Sequence, residues 1–120
     1  MLNRDILTKA GIDYEKGLSR YLDDAEFYEE VLIGFEEEDA FERAEKYFEA
    51  GDANGLLNAV HELKGVAGNV EMTELYKSSS EVVALIRAGK TDMDSLKAPM
   101  ERVRAAYLRA KEGLAQAAAN

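Results

Sequence analysis

The chain has 120 residues, 47% of them hydrophobic, and a formal net charge of −9 from 15 basic and 24 acidic side chains. This charge argues against nucleic acid and anionic membranes as partners, because both attract a concentrated positive surface. There is no cysteine, so disulfides and thiolate metal sites are excluded. The length fits one domain, residues 1–120, and no secretory or membrane-spanning apolar run occurs, so we expect a single cytoplasmic domain.

Apolar residues at helical spacing predict a series of helices from the N-terminus onward. The first four are expected at about residues 4–10, 14–21, 24–37 and 39–50. Asp13 is a good N-cap residue for the second of them. Gly11 and Gly51 are typical of the residue that follows a helix end.

Three further helices are predicted in the second half of the chain. Asp52 is a good N-cap for the first, and the next covers about residues 73–89. The last helix repeats apolar residues at alternating spacings of four and three, straight across Pro99. With Asp94 or Ser95 as its N-cap, Pro99 falls in or just past the first turn, where its missing N–H costs little.

The predicted fold is all-α. No alternating strand pattern appears, and the loops between the helices are short. Four long helices with short connections are expected to form an antiparallel up-and-down four-helix bundle, and the short additional N-terminal helices are expected to close one end.

The segment AVHELKGVAGN, residues 59–69, contains the only histidine, His61, and two glycines that each cost about 1 kcal/mol relative to alanine inside a helix. A projection at about 100° per residue places a complete apolar stripe opposite His61. That stripe consists of Leu56, Ala59, Val60, Leu63, Val66, Ala67 and Val70. The histidine's own side carries Asn54, Leu57, Asn58, Lys64, Gly65 and Gly68. A histidine packed in the core is therefore disfavoured.

The two glycines distinguish this face from an ordinary polar one. A surface histidine without a function is still an alternative, but it does not explain why bulk is removed beside His61. Glycine at this cost makes sense where something approaches the helix closely. Lys64 is one turn from His61, so an anion on the imidazole would lie within reach of its ammonium, although a lone lysine usually serves solubility. The candidate docking residues are Leu57, Asn58, Gly65 and Gly68.

Two metal-binding patterns are matched only in part. The stretch HELKG begins like the zinc motif H-E-x-x-H, but Gly65 occupies the position of the second histidine, and no other histidine or cysteine exists. In DANG, residues 52–55, the glycine comes two positions too early for an EF-hand calcium loop. We therefore expect no metal ligands and no cofactor on this chain.

The stretch HELKGVAGN resembles the HxLKG signature of histidine-containing phosphotransfer (HPt) domains, the phosphoryl carriers of two-component phosphorelays. The matching residues are His61, Leu63, Lys64 and Gly65. The segments GIDYEKGLSRYLDDAEFYEEVLIGFEEE and ALIRAGK are similar to other parts of the family, so the resemblance covers most of the chain. It departs from the family at Glu71, where a glycine is common, and at Val66, where a small hydroxyl residue is common.

The resemblance implies that His61 takes a phosphoryl group from the aspartyl phosphate of a receiver domain and passes it to another receiver. Lys64 would stabilise the charge on the transferring oxygens, and Gly65 would let the receiver close over the ring. Mg²⁺ and the remaining catalytic groups would come from the receiver, in a response regulator or a hybrid histidine kinase. The chain would then be a monomeric phosphoryl carrier and not an independent enzyme. The alternative is a helical bundle that binds a receiver or another helical partner without being phosphorylated.

Overall fold

A computed structural model describes residues 1–119, in which the regular elements are helices apart from one isolated β-bridge between Ile12 and Met72. The α-helices are α1 (Arg4–Lys9), α2 (Tyr14–Arg20), α3 (Ala25–Gly34), α4 (Ala40–Glu49), α5 (Ala53–Asn69), α6 (Thr73–Arg87) and α7 (Met93–Ala119). The predicted all-α fold is confirmed.

The four long helices α4–α7 pack antiparallel. Between α6 and α7, Glu81 pairs with Arg102 at 2.9 Å and Glu74 pairs with Arg109 at 2.5 Å, so the two helices run in opposite directions. The apolar faces of the helices meet in a common core. Its largest fully buried side chains from these helices are Leu56, Leu63, Leu75, Leu96, Met100 and Leu114. The predicted antiparallel bundle is therefore confirmed.

The third helix ends differently from the prediction. It was expected to continue to residue 37, but α3 ends at Gly34 and a 3-10 helix, Phe35–Glu37, follows. This tighter turn is closed by the N–H of Glu38, which donates to the carbonyl of Phe35 at 3.0 Å. The ring of Phe35 is buried, and its centroid lies 5.7 Å from the centroid of the Tyr107 ring on α7. The 3-10 turn therefore places Phe35 in the core.

The last helix begins earlier than predicted. Its N-cap is Asp92 rather than Asp94 or Ser95, because the carboxylate of Asp92 accepts a hydrogen bond from the backbone N–H of Ser95 at 2.9 Å. Hydrogen bonds from the side chain and backbone of Ser95 lower the pKa of Asp92. Pro99 therefore lies inside α7, beyond its first turn, where it has no N–H to donate to the carbonyl of Ser95.

The N-terminal helices close the end of the bundle where α5 connects to α6. The backbone N–H of Asp13 donates to the carbonyl of Glu71 at 2.8 Å. The buried hydroxyl of Tyr28 donates to the carbonyl of Val70 at 2.7 Å. The turn after α5 is thus bonded to the N-terminal segment, as predicted for helices that close one end. Within residues 1–119, no helix combines the length and apolar character needed to cross a bilayer.

Candidate functional site

His61 lies on the solvent-exposed face of α5. The helix begins where the carboxylate of Asp52 accepts a hydrogen bond from the N–H of Gly55 at 2.9 Å, as the sequence predicts. The buried members of the predicted stripe are Leu56, Ala59, Val60, Leu63, Ala67 and Val70. Val66 is only half-buried, at the edge of the core. The prediction that His61 points away from the core is confirmed.

Gly65 leaves an open surface one turn beyond His61. A Cβ built at position 65 meets nothing within 4 Å, and the residue is exposed. The packing of this chain therefore does not require a glycine there. The open surface next to the imidazole agrees with the interpretation that something from outside approaches the helix at this point.

Gly68 does not leave an open surface, because an aromatic ring of this chain lies against it, and its role in docking stays a prediction. A Cβ at position 68 would lie 3.2 Å from two ring carbons of Tyr76, which reaches over from α6. The residue that approaches α5 closely here belongs to the chain itself. Sequence reasoning missed Tyr76, although an aromatic residue outside the apolar stripe of α6 was a signal that could have drawn attention to it.

Lys64 is half-buried, and its ammonium lies over an aromatic ring rather than beside a carboxylate. Its Nζ lies 5.7 Å from the centroid of the Tyr76 ring. Among the described residues, no carboxylate oxygen lies within 4.0 Å of it, and the neighbouring Glu62 is instead bonded by Arg43 at 2.5 Å. In this strongly acidic chain, the ammonium of Lys64 is thus not neutralised by an ion pair within residues 1–119.

The two remaining docking candidates flank the histidine on its N-terminal side. Leu57 is half-buried and packs against the edge of the core, so it presents only part of its side chain to solvent. Asn58 is exposed. The structure therefore brings Leu57, Asn58, Lys64 and Gly65 to one face of α5 with His61.

The turn after the histidine helix has an unusual backbone. Glu71 has φ +59°, in the left-handed region that is unfavourable for residues with a side chain. Its buried carboxylate pairs with Nε of Arg20 at 3.2 Å and lies 3.9 Å from Nζ of Lys16. The conformation is the one that a glycine adopts easily, and here contacts with α2 hold a glutamate in it.

A hollow of about 370 Å³ lies beside this turn, next to Gly68 and Tyr76. It is lined by Lys16, Arg20, Ala67, Gly68, Glu71, Met72, Thr73, Tyr76 and Lys77. Within the described part of the chain, no group of three or more His, Asp or Glu side chains is arranged to hold a metal ion. The expectation that the chain acts without a metal of its own stays a prediction.

In a comparison with known protein families, the chain matches the model described as Hpt domain over residues 35–118. The matched range includes α4–α7 and the whole face around His61, and it leaves α1–α3 outside. No curated protein and no solved structure matches the chain.

Proposed function

The chain belongs to the Hpt domain family, whose members are phosphoryl carriers in phosphorelays, and on that premise we propose that His61 accepts a phosphoryl group from the aspartyl phosphate of a receiver domain and relays it to a second receiver. The observation that carries this proposal is the position of His61. It is exposed on α5, opposite a buried apolar stripe and one turn from the open surface at Gly65.

The transfer needs a nucleophilic nitrogen and little else from this chain. The lone pair of Nε2 attacks phosphorus, the N–P bond forms, and the O–P bond breaks. The aspartate leaves as a carboxylate with the electron pair of that bond, and Nδ1 keeps its proton. Family resemblance favours Nε2 as the reacting atom, and such a transfer depends mainly on positioning and charge neutralisation.

Lys64 supplies the charge neutralisation on this side of the reaction. Its ammonium lies on the histidine face without a carboxylate partner among residues 1–119, so attraction to phosphoryl oxygens does not compete with an internal ion pair. Gly65 admits the receiver, because a larger side chain there would stand between the receiver and the imidazole. Leu57, Asn58 and Gly68 complete the proposed docking surface.

The proposal also implies which proteins bind to this chain. They are receiver domains of response regulators or hybrid histidine kinases, and Mg²⁺ is held by the receiver rather than by this chain. A monomer is sufficient, since a single receiver needs one exposed face. We also propose that residues 1–120 act as one domain in the cytoplasm. Support for one domain comes from the hydrogen bonds between the N-terminal segment and the turn after α5.

The test is transfer of label from a panel of phosphorylated receiver domains to the purified chain. We expect label to appear in an acid-labile, alkali-stable form, as a phosphoramidate requires, and His61→Gln to accept none. If no receiver in the panel gives transfer but one still binds the chain, the non-phosphorylated interaction module is the better description. Label accepted by His61→Gln would show that another residue is modified.

A further inference from the structure

Tyr76 contacts two residues of the histidine face, Gly68 and Lys64, although it lies on the neighbouring helix α6. The ring of Tyr76 lies against Gly68, and its centroid is 5.7 Å from Nζ of Lys64. The residue is 42% exposed. The side chain therefore lies against Gly68 and near the ammonium of Lys64 without being part of the core. Sequence and family comparison assign it no role.

Gly68 makes the placement of this ring possible. The ring carbons lie 3.2 Å from the position that a Cβ at residue 68 would occupy, which is tighter than an ordinary van der Waals contact. An alanine at this position would push the ring away from α5 by a few tenths of an ångström. The second glycine of the histidine helix is thus explained by a close approach of Tyr76 rather than by an open surface.

An aromatic ring holds an ammonium differently from a carboxylate. The negative face of the ring attracts the cation, but at exposed sites the attraction is worth only about 0.5–1 kcal/mol and leaves the charge unneutralised. A carboxylate would instead cancel the charge and compete with an incoming phosphoryl group. Glu62, the nearest acidic neighbour along the chain, is occupied by Arg43 at 2.5 Å.

We propose that Tyr76 is a positioning residue for the phosphotransfer at His61. Its ring keeps the ammonium of Lys64 on the histidine face in a charged, weakly bound state, from which it moves to the phosphoryl oxygens when they arrive. This role rests on the function proposed above. It assigns Tyr76 no contact with the reacting atoms.

The contact itself is tested without any receiver, by the proton shifts of the Lys64 side chain in NMR. The wild-type chain and Tyr76→Phe should show ring-current shifts of the Lys64 ε-methylene protons, and Tyr76→Leu should lose them. Gly68→Ala should reduce these shifts because it displaces the ring. Identical Lys64 shifts in the wild type and Tyr76→Leu would overturn the proposal.

The role is tested by single-turnover transfer from a phosphorylated receiver. Tyr76→Phe should transfer at nearly the wild-type rate, and Tyr76→Leu about two- to five-fold more slowly. In a Lys64→Ala background, Tyr76→Leu should cause no further loss, because the ring then has no ammonium to hold. Leu108→Ala, at a half-exposed leucine on α7, is the matched control and should leave the rate unchanged.

An equal loss from Tyr76→Leu in both backgrounds would overturn the role and would show that the ring contacts the receiver instead. If the wild-type chain takes no label from any receiver, the proposed function fails and the role in transfer fails with it. The NMR shifts would then still decide whether Tyr76 holds Lys64.

Discussion

Gly65 and Gly68 lie about one turn apart on the same face of α5, but their surroundings differ. A Cβ at position 65 would extend into open space, whereas a Cβ at position 68 would contact the ring of Tyr76 tightly, at 3.2 Å. The sequence predicts the face that both glycines share, because helical periodicity depends only on spacing. It does not predict the neighbour at Gly68, because that contact is set by how α6 packs against α5.

Substitution of Gly65 by glutamine separates docking from folding. Gly65→Gln should keep the helical fold and the thermal midpoint close to wild type, because nothing lies within 4 Å of its Cβ. It should reduce phosphotransfer at least ten-fold, because the side chain stands where the receiver must approach. Gly34→Gln is a matched control, since Gly34 on α3 is equally unobstructed. Unchanged transfer in Gly65→Gln would remove the explanation for this glycine.

At position 71, where this chain has a glutamate, both the family resemblance and the positive φ angle favour a glycine. A side chain at φ +59° costs about 1 kcal/mol, and the ion pair with Arg20 offsets part of this cost. The sequence shows only that a glutamate stands where a glycine is common. The pairing could not be predicted from it, because Arg20 lies far away along the chain.

The ion pair at this turn leads to a prediction about coupling. Arg20→Ala should lower the free energy of unfolding by up to about 1 kcal/mol in the wild-type chain, since the guanidinium is half-exposed. In a Glu71→Gly background the same change should have no effect, because the carboxylate is gone. Urea denaturation of the four variants measures both differences. Equal losses in the two backgrounds would mean that Arg20 stabilises the fold through other contacts.

At the scale of elements, α5 serves two surfaces and is held at both ends. Asp52 caps its start, and the N-terminal segment bonds to the turn at its end through Asp13 and Tyr28. The family match begins at residue 35, so Asp13 and Tyr28 belong to a part of the chain that the match does not cover. They hold the end of the histidine helix in addition to its packing against the bundle helices.

The N-caps of the helices show which helix starts can be predicted from local sequence and which cannot. Asp13 and Asp52 cap the helices predicted for them, because each is the one suitable residue before its apolar repeat. For α7, Asp94 or Ser95 was predicted, but the hydrogen bond from the N–H of Ser95 shows that Asp92 is the N-cap. Local sequence therefore predicts an N-cap where one residue is suitable, and the hydrogen bond to the side chain identifies it where several are close together.

At the scale of the whole molecule, buried tyrosines make the free energy of unfolding depend on pH. Burial raises the pKa of Tyr28, burial and the hydrogen bond to Glu29 raise the pKa of Tyr14, and burial raises the pKa of Tyr107. The folded state therefore keeps these protons at a pH where the unfolded state has lost them. The stabilisation is fully present below the unfolded pKa of about 10 and is lost as pH rises above it.

We therefore expect the free energy of unfolding to fall steadily above about pH 10. Tyr107→Phe should reduce this slope, because it removes one of the protons that the folded state retains. Urea denaturation at a series of alkaline pH values gives the slope, and Tyr47→Phe, at a more exposed tyrosine, is the control. A slope that is the same in the wild type and in Tyr107→Phe would contradict the assignment of Tyr107.

The helical bundle could be predicted from the sequence, because the apolar repeats of α4–α7 are long and the connections are short. The face that carries His61 could be predicted for the same reason. The aromatic partner of Lys64 could not, since it depends on which residue of α6 lies opposite Gly68. Contacts between helices are therefore where the structure adds most to the sequence.

The central claim is that the imidazole of His61 carries the phosphoryl group. Its most direct test is a nitrogen-15 NMR spectrum of the ring, recorded before and during incubation with a phosphorylated receiver. The chain has a single histidine, so one pair of ring nitrogens gives the whole signal. We predict that the Nε2 resonance moves and couples to phosphorus. An unchanged imidazole spectrum while phosphoryl label accumulates on the chain would contradict the claim.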